Sequence, residues 1–207
     1  MARPPEAVFH VKHQGWTEGP FHLSESEAAS LDRFEGLLRE RALPGRMIAA
    51  GDAGRLRERH LGDSLRALEL LRSGDRSALD IGSGAGLPGV VISIARPELQ
   101  VTLVETRRSR AVFLETVASE LGLANVKVVH GRIEAVRDVV RLCFARAFGS
   151  AARSWEAAEP RLEPEGRLIY WAGASFRISD VPPDLRVEVV PPPSLAWSGP
   201  LVMMCRQ

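Results

Sequence analysis

The sequence predicts an α/β fold, a doubly wound and mostly parallel sheet preceded by a helical extension. An apolar run enters a glycine-rich turn at 78–89, and strand-like and helix-like segments alternate after Gly74. Leucines at helical spacing fill the region before that turn. Strands that alternate with helices form a parallel sheet covered on both faces. We therefore expect an N-terminal arm and helical extension over 1–75, packed on a compact core over 76–207.

The composition is that of an ordinary globular domain. The chain has 207 residues, 45% of them hydrophobic and 26% charged, with a net charge of +1. This charge excludes a protein that binds nucleic acid through overall basicity, although 25 of the 27 basic residues are arginines, which suit phosphate and guanine edges. Cys143 and Cys205 lie far apart in apolar segments, so we expect two buried thiols and no metal site. Signal-like and membrane-length apolar runs are missing, which favours a cytoplasmic protein with no membrane partner.

The extension predicts a loose arm followed by two helices. The arm covers residues 1 to about 22, where prolines and glycines are frequent. Ser24 and Glu27 form a capping-box pattern before an amphipathic helix that ends at Pro44. A second helix, capped by Asp52, is expected to fill the rest of the extension.

The core predicts five strands alternating with helices, and then a hairpin. The strands are expected near 77–81, 100–105, 125–130, 141–147 and 167–172, and the helices near 87–95, 109–121 and 151–162. Two further strands, at 186–190 and 201–205, are joined by a proline-rich loop without a helix. A terminal hairpin argues against a plain dinucleotide-binding fold. It suits the seven-stranded sheet, with an antiparallel last strand, of S-adenosylmethionine-dependent methyltransferases.

The glycine turn favours a nucleoside ligand that lacks a pyrophosphate. A dinucleotide fingerprint matches literally at 84–89, but the strand enters at Gly82, and counting from there Leu87 replaces the third glycine. Pro88 also removes an N–H that a pyrophosphate would use. S-adenosylmethionine has no phosphate and needs bare backbone beside it. An NAD-dependent oxidoreductase is the alternative.

Two acidic positions follow the next strands. Glu105 ends a strand about 20 residues after the turn, where a carboxylate can accept both ribose hydroxyls. Gly131 to Glu134 follow the third strand, and Ile133 can cover the adenine ring there. Glu134 either contacts the cofactor or is a solvated charge.

Five short runs together resemble the small-subunit rRNA guanine-N7 methyltransferase family (RsmG, formerly glucose-inhibited division protein B). The resemblance covers about 31–172. The runs occur in order at His60–Leu65, Leu79–Gly89, Ala95–Val101, Gly131–Glu134 and Ala145–Phe148.

The resemblance implies a class I (Rossmann-like) methyltransferase that uses S-adenosyl-L-methionine. Its target would be a guanine of 16S rRNA, free or in a small-subunit ribosomal particle, and we expect a monomer. Arg146 would be the catalytic residue, facing the transferred methyl group and the base. The predicted cofactor-binding residues are Asp80, Gly82, Gly84, Gly86, Leu87, Glu105, Ile133, Glu134 and Arg146.

The chemistry agrees with the lack of an obvious catalytic triad. Guanine N7 carries a free lone pair, so no base has to remove a proton, and catalysis is mostly alignment. Arg146 can donate to acceptors on a base edge, although it could instead pair with a carboxylate. His60, Asp63 and Ser64 lie within one helix and cannot converge as a triad. We expect Asp63 and Ser64 to pack the extension against the glycine turn.

Arginine clusters and two departures from the family bear on the substrate. Arginines 55, 57 and 59, and arginines 107, 108 and 110, are either phosphate contacts or solvated surface. The family's Asn-Leu-Thr is replaced by Arg46-Met47-Ile48, and its Lys-Gly by Ala172-Gly173. A methyltransferase for another RNA or a small molecule, and a cofactor-binding paralogue without activity, are therefore open alternatives.

Overall fold

A computed structural model describes residue 16 and the ranges 21–192 and 199–207. Its strands are β1 (Ser77–Ile81), β2 (Gln100–Glu105), β3 (Val126–His130), β4 (Val140–Arg146), β5 (Leu162–Trp171), β6 (Leu185–Val190) and β7 (Leu201–Arg206). They form one sheet in the order β3-β2-β1-β4-β5-β7-β6. The first five strands pair in parallel, and β7 runs antiparallel to both β5 and β6. The predicted seven-stranded sheet is confirmed.

Helices cover both faces of the sheet. They are α1 (Glu25–Leu37), α2 (Asp63–Leu65), α3 (Gly89–Ala95), α4 (Arg108–Glu120) and α5 (Ala151–Ala158). Successive residues of β1 point to opposite faces. Ala78 joins an apolar cluster with α1, α3 and α4, whereas Leu79 and Ile81 join a second cluster with α5. The doubly wound arrangement is thus present.

The extension begins as predicted and then departs from regular helix. Ser24 and Glu27 make both capping-box hydrogen bonds at the start of α1. The expected second helix capped by Asp52 is wrong. In its place are the 3-10 segments Ala50–Arg55 and Arg66–Leu70, the π-helical segment Leu56–Gly62 and the short α-helix α2. The Asp52 carboxylate does not cap the backbone because it binds Arg59 at 2.8 Å and His60 at 3.1 Å.

The arm is anchored where the structure describes it. Trp16 is buried, its indole donates to Asp32 at 2.8 Å, and the Arg57 guanidinium lies 4.3 Å from the ring centroid. The prediction of a loose arm is therefore wrong at Trp16, because a large aromatic ring finds apolar and cationic partners there. Its other residues up to 20 lie outside the described ranges.

The extension shares its apolar core with the sheet. Leucines of α1 and of the 56–70 region belong to the same cluster as Leu142 of β4 and Trp171 of β5. A buried ion pair adds to this contact, since Arg167 of β5 donates to Asp75 and to the carbonyl of Leu70. The division into an extension and a core at residue 75 stays a proposal. Among the described residues, no helix combines the length and apolarity needed to cross a bilayer.

Candidate active site

The glycine turn follows β1 and is tied to the end of β2. Gly82, Gly84 and Gly86 have φ of +72°, +58° and +87°, a region that only glycine enters freely. The N–H groups of Gly82 and Ser83 both donate to the carbonyl of Val104, at 2.9 and 3.0 Å. The start of the turn is therefore fixed to the end of β2, and the backbone of Gly82 is exposed.

The second half of the turn serves packing. A Cβ atom on Gly86 would lie 2.6 Å from the side chain of Val90, and one on Gly89 would overlap Leu103. Leu87 is partly buried against the apolar cluster that contains α3. Gly86 and Leu87 were predicted to contact the cofactor, and the structure places them where the turn packs on the core.

Asp80 lies beneath the turn. Its side chain is 1% exposed, and Oδ2 accepts the N–H of Gly89 at 3.1 Å. Burial raises the pKa of this carboxyl to about 7, although the hydrogen bond from Gly89 favours the charged form. Any part that Asp80 takes in cofactor binding is thus indirect, through the shape of the turn.

Glu105 ends β2 beside the turn and is already well coordinated. Its carboxylate accepts the N–H of Gly84 at 2.9 Å and that of Arg107 at 2.8 Å, with the Thr106 hydroxyl at 3.4 Å. A carboxylate has about four acceptor sites. Glu105 is only 4% exposed, and Arg110 Nη1 lies 4.0 Å from its Oε2. Binding of ribose hydroxyls therefore requires some of these contacts, first the long one to Thr106, to give way.

A cleft of about 570 Å³ opens above the ends of β2, β3 and β4. Ile133 is buried at its wall, and the Glu134 side chain is exposed at its rim. Phe148 and Arg153 also line it, and sequence reasoning missed both. The lining residues are Thr106, Gly131, Arg132, Ile133, Glu134, Phe148 and Arg153.

Arg146, the last residue of β4, is fixed by the extension. Nη1 donates to the carbonyl of His60 at 3.3 Å and to the Ser64 hydroxyl at 3.1 Å. Nη2 donates to the carbonyl of Arg59 at 2.8 Å and pairs with Asp63 at 3.0 Å. These bonds do not use Nε. Burial lowers the pKa of Arg146, and Asp63 opposes that shift.

Asp63 and Ser64 bind Arg146 rather than the glycine turn. They were expected to pack against the glycine turn, but they contact the guanidinium of Arg146. The reason is topological, because the extension crosses the carboxyl ends of β4 and β5. The indole of Trp171 at the end of β5 also donates to the carbonyl of Asp63, at 3.0 Å.

A second, smaller pocket of about 310 Å³ lies on the far side of Arg146. It sits at the carboxyl ends of β4 and β5, where ligands bind in open α/β sheets. Ala172 and Gly173, which replace the family's Lys-Gly, are part of its wall. The lining residues are Arg59, Asp63, Arg146, Ala147, Tyr170, Trp171, Ala172, Gly173 and Gly199.

The two arginine clusters behave differently. Arg57 and Arg59 of the extension are engaged with carboxylates, at 2.7 Å to Asp32 and 2.8 Å to Asp52. Arg107 and Arg108 are exposed beside the cleft. Arg110 lies 4.0 Å from Glu105. Arg107 and Arg108 are therefore better placed for a polyanion.

The larger cleft fits S-adenosylmethionine by its donor set. Ile133 lines the cleft and its apolar side chain matches an adenine. Gly82, with exposed backbone, and Glu105, with its carboxylate, lie next to the cleft in the chain and the sheet rather than in its lining, and they match an amino-acid chain and a ribose. Within the described ranges, no three His, Cys, Asp or Glu side chains group as a metal site.

Comparison with known proteins gives consistent matches. A family model described as rRNA small subunit methyltransferase G matches residues 28–179. The chain is 41% identical over 186 residues to the ribosomal RNA small subunit methyltransferase G of Mycobacterium leprae (strain Br4923), covering 78% of this chain and 74% of that protein. It is 34% identical over 194 residues to the protein of that name from Aromatoleum aromaticum (strain DSM 19018 / LMG 30748 / EbN1), covering 90% and 92%.

The fold also has solved counterparts. The mitomycin 7-O-methyltransferase MmcR matches with a TM-score of 0.60 at 18% identity, covering 92% of this chain and 70% of that one. At this identity the likeness concerns the fold.

Proposed function

The chain belongs to the rRNA small subunit methyltransferase G family, and on that premise we propose that it methylates N7 of a guanine in 16S rRNA. It is an S-adenosylmethionine-dependent methyltransferase, as the motif resemblance predicted. The proposal includes three further points. The substrate is free rRNA or a small-subunit particle, the reaction takes place in the cytoplasm, and the protein is a monomer.

One observation carries the proposal: the larger cleft and the smaller pocket lie on either side of the segment that follows β4. Ala147 and Arg146 line the pocket, and Phe148, the next residue, lines the cleft. A cofactor in the cleft and a base in the pocket would therefore face each other across one short segment. Such alignment accounts for much of the rate of a reaction whose nucleophile is already a lone pair.

The residues act by binding and orienting. S-adenosylmethionine supplies a methyl group activated on a sulfonium sulfur. Gly82, Glu105 and Ile133 would hold that cofactor, with Asp80 shaping the turn beneath it. Arg146, with both Nη atoms bound to the extension, is a rigid cation at the pocket, and its Nε–H is left to donate to a base-edge acceptor.

The test is methyl transfer to ribosomal material from a strain that lacks the corresponding gene. Purified protein is incubated with methyl-labelled cofactor and either 16S rRNA or 30S particles, and N7-methylguanine is located by aniline cleavage and primer extension. We expect one labelled guanine in 16S rRNA. Label confined to another RNA or to small molecules would overturn the proposed substrate. Cofactor binding without any transfer would instead support the inactive paralogue, and calorimetric binding of NAD alone would overturn the methyltransferase assignment.

A further inference from the structure

The segment after β4 separates the two cavities. Arg146 and Ala147 line the pocket and Phe148 lines the cleft. Ala147 has φ of +53°, a left-handed conformation that costs a non-glycine residue about 1 kcal/mol. This turn directs Phe148 toward the glycine turn.

The Cδ2 side of the Phe148 ring lies beside Gly82. A Cβ atom on Gly82 would come within 3.0 Å of Cδ2 of Phe148 and 3.8 Å of Cε2. The ring is half-buried and packs on the apolar cluster between the sheet and α5. It therefore adjoins the one glycine of the turn that presents exposed backbone to a ligand.

The ring already attracts a cation. The Arg153 guanidinium lies 5.8 Å from the ring centroid, near the outer limit of a cation–π contact, and Arg153 lines the same cleft. The electron-rich face of Phe148 is thus within reach of a positive charge inside the cleft.

We propose that Phe148 is the aromatic contact for the positively charged sulfonium end of the cofactor, and that it distinguishes the methyl donor from its neutral demethylated product. This inference rests on the proposed function. The methyl group has to leave the cleft toward Arg146, so the sulfonium must lie next to the segment that ends in Phe148. Aromatic faces attract onium cations. S-adenosylhomocysteine has lost that charge, and its attraction to the ring disappears with it.

The experiment compares two ligands by calorimetry on the full chain. In Phe148→Leu, which keeps an apolar side chain but removes the ring, we expect affinity for S-adenosylmethionine to fall about 3- to 30-fold. Affinity for S-adenosylhomocysteine should change by less than about twofold. Phe148→Tyr retains the aromatic face and should keep the wild-type ratio of the two affinities.

The control is Ile133→Ala, which alters a wall proposed to meet the adenine, a group that both ligands share. It should weaken both ligands by the same factor. Thermal unfolding checks each variant, and Phe148→Met replaces Phe148→Leu if the latter does not fold.

Equal losses for the two ligands in Phe148→Leu, or no loss, would overturn the inference. Failure of the wild-type chain to bind either ligand would instead overturn the proposed function, so the two failures are distinguishable.

Discussion

At the scale of single residues, Arg146 is the side chain on which transfer depends most. Arg146→Ala should reduce methyl transfer by about 100-fold or more, the usual cost of losing a positioned donor. Arg146 was also among the predicted cofactor-binding residues, but it lines the smaller pocket and not the larger cleft, so cofactor affinity should stay within about twofold. Transfer is measured with labelled cofactor and affinity by calorimetry.

The matched control is Arg141→Ala, which removes an exposed arginine from the same strand. It should leave transfer unchanged. An Arg146→Ala protein that transfers at the wild-type rate would remove this residue from the mechanism.

Asp80 makes a prediction about pH. The folded-state pKa of about 7 lies above the ordinary value of 3.8, so between these values the unfolded chain loses a proton that the folded chain keeps. Stability contributed by the neutral carboxyl is present below pH 4 and is lost as pH rises to 7, by about 4 kcal/mol in total. Asp80→Asn has no such proton, so its stability advantage over the wild type should grow by that order across the interval.

Urea unfolding of both proteins at several pH values measures this difference, because titration of the other carboxylates is common to both. Parallel curves of unfolding free energy against pH would show that burial does not raise this pKa.

At the scale of elements, glycine lets the turn adopt positive φ without strain, and at Gly82 it leaves the backbone exposed. Gly82→Ala places a side chain at φ +72° and against the Phe148 ring, so unfolding free energy should fall by about 1–2 kcal/mol and cofactor affinity should fall with it. Chemical unfolding and calorimetry report the two effects separately.

Gly122→Ala is the control for that substitution. Gly122 has φ of +63° with no atom within 4 Å of an added Cβ, and it lies after α4 at the opposite end of the sheet. It should lose similar stability and keep its cofactor affinity. Unchanged affinity in Gly82→Ala as well would argue against Gly82 as a cofactor contact.

Elements with strong periodicity were predictable from sequence, and those that depend on distant partners were not. Strands β1 to β4 lie within about a residue of their expected bounds because each is a short apolar run between turn residues, buried in β1, β2 and β4 and partly exposed in the edge strand β3. β5 begins at Leu162 rather than near 167, since it bulges against β4 between Val140 and Leu142. The prediction of a helix capped by Asp52 failed because the Asp52 carboxylate binds Arg59 and His60, contacts that helix propensity does not record.

The site shows the same division. The glycine turn and Glu105 are marked by spacing along the chain. The bonds from Arg146 to the extension, and the contact of Phe148 with Gly82, join residues more than 60 positions apart. An aromatic residue one position after the end of the strand predicted at 141–147 was the available signal for Phe148.

At the scale of the whole molecule, the Asp75–Arg167 pair joins the extension to the sheet. Both side chains are buried, and Asp75 also accepts the N–H of Arg72. Asp75→Ala leaves a buried guanidinium uncompensated and should lower unfolding free energy by about 3–5 kcal/mol. Chemical unfolding measures this loss.

Asp138→Ala breaks a pair of similar type that is exposed, to Lys127 at 3.5 Å, and should cost about 1 kcal/mol or less. Similar losses of unfolding free energy in the two variants would mean that burial does not make the Asp75 pair more important for stability than the exposed pair.

The strand order has a consequence for how the chain matures. β6 is synthesised before β7, yet it joins the sheet through β7, which lies between it and β5. During synthesis, β6 therefore cannot pair with the sheet until β7 has been made. The pairing of β7 with β5, which skips β6 in the sequence, is non-local, and such pairing is slow. The nascent protein thus passes through a stage in which the outer side of β5 is open to other strands, and the arrival of β7 closes it.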